Sequence, residues 1–292
     1  MNKLFLFLIL IVFPLNFKAQ TSFWKPADSL NKKRVIISSS VIGAGYAGSL
    51  IGLQQVWYKN PWTNFHLFND GNEWLQMDKA GHCFTTYQIS KNLSKLYRWG
   101  GVSNNKADWI GVGVSLSYLT CLEVLDGFSD DWGFSPYDMT ANVSGAFLFF
   151  GQERLFHQQI LVPKFSFHTT KYAALRPAIL GSTFAEQLLK DYNGQTYWLS
   201  FSPGNFGQNK FPKWLCFSFG YSAEQKIVGG EEVYLNYHSR REFLFSMDID
   251  FSRIPVKNAF LKTVLSQINY LKIPFPALIL QGNQFGVKPF YF

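Results

Sequence analysis

The chain has 292 residues, 47% of them hydrophobic and only 16% charged, with 30 Phe and a formal net charge of +8. Ordinary soluble domains carry about 25% charged residues. This balance excludes a disordered chain, because apolar surface is ample, and 23 Gly with 3 Cys exclude collagen-like and disulfide-dense classes.

Residues 1–20 combine basic Lys3, an apolar run from Leu4 to Leu15 and a cleavage zone at Lys18-Ala19-Gln20. They read as a secretory signal peptide, so the mature chain is expected to be exported, to the periplasm or a membrane-associated envelope site. No Cys follows the apolar run, so lipid attachment is not expected there. Without Lys3 and Lys18 the net charge is +6, scattered along the chain. That argues against nucleic acid as a partner and for modest attraction to anionic lipid. Cys83, Cys121 and Cys216 lack metal-type spacing and read as thiols in apolar surroundings, although export would permit one pair.

Val35 to Trp57 carries no charge and is long enough to span a bilayer, which takes about 20 apolar residues. Ser39, Gly43, Ala47 and Ile51 would line one face for close helix contact. The same stretch contains Gly43-Ala-Gly-Tyr-Ala-Gly48, a literal G-x-G-x-x-G. A dinucleotide site there would need a preceding strand, for which Val35 to Ile42 is the candidate, a helix N-terminus for the pyrophosphate, and a second strand with an acidic end, for which Phe65 to Phe68 with Asp70 is the candidate. The serines 38–40 and the lack of βαβ alternation weaken it, and no cofactor is expected.

A polar connection, 58–75, leads to a helix over 77–98. A third helix is predicted from Asp108 as N-cap to Leu125, and a fourth from Ser135-Pro136 to about Arg154, with Ser as N-cap and Pro at the first position. Beyond it the period changes to two. Tyr197 to Phe201, Leu215 to Tyr221 and Phe243 to Phe251 alternate as strands, with Asp248 and Asp250 predicted on the solvent face. Phe260, Val264, Ile268 and Leu271 form a helical stripe near the C-terminus. Three strands fall short of a transmembrane barrel, and Pro289 interrupts the last segment. The predicted fold is α+β: a signal peptide (1–20), a bundle of about four apolar helices (34–155), and a small antiparallel β-containing region (160–292) with a C-terminal amphipathic helix.

The chemistry-bearing residues lie between 78 and 145. Asp78 and His82 share one helix face, as do Glu123 and Asp126; Asp138, Asn142 and Gly145 form a stripe on the fourth helix. Polar groups on apolar helices are costly unless they meet one another or water, so they are expected to converge. In an enzyme, His82 would be the general acid/base, oriented by Asp78, with Glu123, Asp126 and Asp138 as further candidates. Lys79, Ser135 and Asn142 would bind ligand, Lys79 through an anionic group of a lipid or cell-wall intermediate. His82, Glu123, Asp126 and Asp138 offer N and O donors, but their spacing matches no standard metal motif and no metal is expected. The competing structural reading has the same residues tie the helices together.

Asp78-Lys79-x-x-His82, a later Glu, and Ser135-x-x-Asp138-x-x-x-Asn142-x-x-Gly145-Ala146 resemble the YfiM-like family of periplasmic lipoproteins of unknown function, and more loosely VanZ-like membrane proteins. The stretches Leu189–Trp198, Phe211–Leu215, Gly220–Glu224 and Asp248–Asp250 extend the likeness. The missing lipoprotein Cys and an Asn at 142, where some members have Asp, are departures. The resemblance implies an envelope location and no established reaction. The expected function is that of a membrane-associated structural or interaction protein with a buried polar cluster. The alternative is an enzyme or binder of lipid or cell-wall intermediates; partners would be membrane lipid or other envelope components.

Overall fold

A computed structural model describes residues 23–58, 62–206 and 211–292; the expected signal segment lies outside them. The first helix, α1 (Lys32–Trp57), starts where the Asn31 side chain accepts the Arg34 N–H at 3.1 Å. It runs without a break through Gly43–Gly48, and Val35 to Ile42 are helical rather than a strand. The dinucleotide reading therefore fails, because helical N–H groups bond within the helix and leave no loop to cradle a phosphate. On the small-residue face Ser39 meets the Tyr97 hydroxyl at 2.9 Å, while the glycines stand open. A Cβ built on Gly43, Gly45 or Gly48 would meet nothing within 4 Å.

Three helices form the bundle: α2 (Met77–Trp99), α3 (Asn104–Gly127) and α4 (Pro136–Phe156). Lys79 meets Asp138 at one end and Arg98 meets Glu153 at the other, so α2 and α4 run in the same direction. Close approach depends on glycine. A Cβ on Gly111 would collide with the Ser90 carbonyl, and one on Gly145 with the Cys83 carbonyl. Tyr87, Val112, Ala146 and Phe149 form the apolar core. Ser135 caps α4, accepting the Asp138 N–H at 3.0 Å with Pro136 following. Asp108 is not a cap. The helix begins a turn earlier, after Ser103, and buried Asp108 pairs with Arg98 and Arg154. An ion pair at a helix crossing outcompeted a solvent-facing cap.

The second half is a six-stranded antiparallel sheet in the order β1 to β6: β1 (Leu161–Phe167), β2 (Gln195–Phe201), β3 (Leu215–Glu224), β4 (Arg240–Ile249), β5 (Phe275–Gln281) and β6 (Gln284–Tyr291). Short helices α5 (Pro177–Leu180) and α6 (Phe184–Lys190) lie between β1 and β2. The amphipathic helix α7 (Ala259–Ile268) is not C-terminal: β5 and β6 follow it. They form a hairpin through Gly282 at φ +58, and Pro289 is accommodated because β6 is an edge strand. The sheet curls. The free edge of β1 bonds the segment before β5 (Phe165 N–H to Tyr270 O, 2.8 Å; Lys272 N–H to Phe165 O, 2.9 Å), and Thr196 reaches the Tyr291 hydroxyl at 3.0 Å.

The sheet faces are inverted relative to a water-soluble sheet. Ser166, Thr196, Ser200, Ser218, Ser222, Ser246 and Asp248 are buried on the concave face, beside Trp198, Leu244 and Ile279. Phe219, Phe243, Met247, Leu278, Leu280, Phe285 and Val287 are exposed on the other. The expectation that Asp248 and Asp250 face solvent is thus wrong. Asp248 is fully buried and pairs with Lys164 at 2.8 Å, while Asp250 caps the turn at Phe251–Arg253. The Asp248–Lys164 ion pair and serine hydroxyl partners make the polar face the inner one.

Candidate functional site

The polar stripes converge at the end of the bundle where α2 and α4 begin. Lys79 sits among Asp70, Asp78 (3.1 Å) and Asp138 (2.8 Å). It thereby joins the loop before α2 to both helices. Ser135 supports the same corner: its hydroxyl donates to Asp70 at 2.5 Å, and its N–H lies 3.4 Å from Glu123.

His82 stands in the middle. Asn142 Oδ1 lies 3.1 Å from His82 Nδ1 and 3.0 Å from the Thr86 hydroxyl, which also reaches the His82 carbonyl at 2.8 Å. Glu123 is 3.5 Å from the same nitrogen. Nε2 faces Asp78 at 3.8 Å and Asp138 at 3.9 Å, too far for direct hydrogen bonds. Asp126 is a neighbour of this group rather than a member, accepting from the Tyr58 hydroxyl at 2.6 Å.

The carboxylates are not alike. Burial lifts the Asp78 carboxyl, but His82, Lys79 and the Tyr192 hydroxyl, which donates at 2.7 Å, outweigh it and hold it below its usual range. Burial and the Asp78 charge push Asp138 well above that range. Two acids sharing one site separate in this way. Burial, with the Asp126 charge, raises Glu123 to about 8; burial also raises Asp126 to about 7, against the Tyr58 hydrogen bond. Burial opposes the Lys79 charge, yet Asp78 and Asp138 keep its ammonium above the ordinary lysine range.

Donor atoms of Asp78, His82 and Asp138 lie within 4.8 Å of one another, the nearest approach to a metal-ligand set among the described residues. Lys79 already holds both carboxylates, so the chain supplies its own cation there. Asn142 Nδ2 is buried without a hydrogen-bond partner among the described residues, and Glu123 Oε1 faces His82 Nδ1 at 3.5 Å.

The cluster opens on a cavity of about 530 Å³. Asp70, Asp78, His82, Asp126 and Asp138 border one part of its wall. Leu53, Phe84, Leu122, Trp132, Phe165, Ile179 and Leu189 border the rest. Tyr192 and Tyr197 bring the sheet region into the same wall. Tyr58, Tyr192 and Tyr197 were not singled out as site residues from the sequence, and Asp70 entered only as the acidic end of the dinucleotide motif, since they come from a loop, a helix end and a distant strand with no shared spacing.

The comparisons bear on this segment. Residues 66–150 match a family described as "Predicted periplasmic lipoprotein (DUF2279)". The matched stretch runs from the loop before α2 into α4 and contains the cluster's Asp70, Asp78, Lys79, His82, Glu123, Asp138 and Asn142. The match agrees with an exported protein of the periplasm or envelope, of unknown function. No curated protein and no solved structure matches the chain.

Proposed function

We propose that this is a membrane-associated envelope protein that binds an amphiphilic molecule, head group at the Asp78–His82–Asp138 cluster and tail along the apolar cavity wall. The carrying observation is the cavity itself. A network serving only to tie helices would close on its own members, whereas this one borders about 530 Å³ of open space. Membrane association is supported by the apolar exterior: Ile36, Ile37, Val41 and Ile51 on α1 and the aromatic outer face of the sheet are exposed. Helices α1 and α3 are long and apolar enough to cross a membrane, by length and composition only; α3 buries Asp108 and Glu123 in the bundle. The motif's likeness to YfiM-like and VanZ-like proteins suits the same setting.

Asp78 is held ionised, and an arriving ammonium would take the place of the protons that Asp138 and Glu123 carry, so the cluster suits a cationic head group. Native mass spectrometry with dodecylammonium and dodecyl phosphate tests this. The ammonium amphiphile is expected to bind at least tenfold more tightly, and Asp78→Asn with Asp138→Asn to remove that preference while circular dichroism is unchanged. Equal binding by wild type and variant overturns the site. The structural reading keeps one specific support, the Lys79 bridge joining a loop and two helices. It predicts instead that the double variant loses its folded signal.

A further inference from the structure

We propose that a second cavity, at the opposite end of the bundle, binds a small oxyanion of the phosphate class, either free or as a lipid head group. It lies between α2, the end of α4, the Phe251–Arg253 turn and Asn269, and measures about 170 Å³. One water needs only about 10–15 Å³.

Lys91 supplies the decisive observation. It is 5% exposed and lines the cavity, yet no carboxylate stands at ion-pair distance among the described residues. Its ammonium has only the Tyr87 ring, 5.4 Å away. Exposed Lys95 stands one turn on and donates to Ser266 at 2.8 Å; Arg98 and Arg253 also line the wall. The two carboxylates present are committed elsewhere. Glu153 holds Arg98 at 2.6 Å and Gln159 at 2.8 Å; Asp250 holds Ser252 and, at 3.1 Å, Arg253. Asn269 accepts the Phe251 N–H at 2.8 Å through its amide oxygen, which leaves its NH2 group as a further donor.

An isolated buried ammonium is costly and either sheds its proton or acquires an anion. Burial and the Lys95 charge push Lys91 down to about 7, against the pull of the Asp250 charge. A bound oxyanion would restore the missing partner and accept from several donors at once. This reading uses none of the carboxylate cluster and stands independently of the amphiphile site.

Equilibrium dialysis of the full chain against radiolabelled orthophosphate and against dihexanoyl phosphatidate tests it. Wild type is expected to bind at least one probe, and Lys91→Met to bind it at least tenfold more weakly. Lys91→Met should melt no lower than wild type without ligand, since it removes an uncompensated charge. Binding of orthophosphate identifies a free-anion site; binding of phosphatidate alone identifies a head-group site. The proposal is overturned if neither probe binds wild type, or if Lys91→Met binds as wild type does. Should Lys91→Met not fold, Lys95→Met at its exposed position decides: a several-fold loss supports the site and an unchanged affinity overturns it.

Discussion

The curled sheet and the helix bundle both bury lysines, and they treat them in opposite ways. In the sheet, Lys164 and Asp248 are fully buried and 2.8 Å apart; Lys164 also donates to the Ile249 carbonyl at 2.6 Å, and Asp248 accepts from the Ser200 hydroxyl at 2.8 Å. In the bundle, Lys79 serves three carboxylates beside a cavity, while Lys91 has none. The sheet encloses Lys164 and Asp248 against each other. The bundle leaves room beside its charges. Buried charge alone therefore does not mark a site in this molecule; buried charge with an open flank does.

The largest test of this contrast lies in the sheet. Lys164→Met strands the Asp248 carboxylate and is expected to lower stability by about 3–5 kcal/mol in a denaturant titration. Replacing both partners, Lys164→Met with Asp248→Leu, should recover most of the loss. A harmless single substitution would mean that the sheet interior is not closed around this pair.

A smaller effect is expected from pH. Glu123 and Asp126 hold their protons in the folded chain to about 8 and about 7, against ordinary values of 4.5 and 3.8. The folded state therefore binds more protons than the unfolded state between those limits. Their stabilising contribution is complete below the ordinary values and is lost as pH rises through the folded ones. Glu123→Gln should flatten the decline between pH 5 and pH 8, by at most about 1.4 kcal/mol per pH unit for one proton. An unchanged slope would remove Glu123 from the titrating cluster.

How much of this was legible beforehand follows from geometry. Asp78 with His82, Glu123 with Asp126, and Ser135 with Asp138 and Asn142 are spaced by three or four residues, and a helix places such residues on one face. Convergence then followed from the cost of leaving them in apolar surroundings. Asp70, Tyr58, Tyr192 and Tyr197 have no such period, because loops and strands deliver them from elsewhere in the chain. The sheet shows a different limit. Alternation from Phe243 to Ile249 separates two faces but does not say which points inward. The usual preference would bury the Phe side, and the Lys164–Asp248 pair lies on the other.

The smallest prediction concerns the glycine motif that resembled a cofactor loop. Gly43→Ala is expected to raise helix stability by about 0.5–1 kcal/mol in a thermal melt, because a methyl there meets no neighbour and Ala is the better helix former. A loss instead would show that α1 packs closely along that face.

The inverted alternation also polices strand alignment. Side chains along a strand repeat every two residues, so a slip of one residue moves a whole strand's set to the opposite face. In β4 such a slip would send Phe243, Phe245 and Met247 among serines and turn Asp248 toward the aromatic exterior. Lys164 would then be left without its counter-charge. Each misaligned arrangement carries an electrostatic and a packing penalty together, so the sheet's polar lining selects one pairing scheme as well as filling the interior.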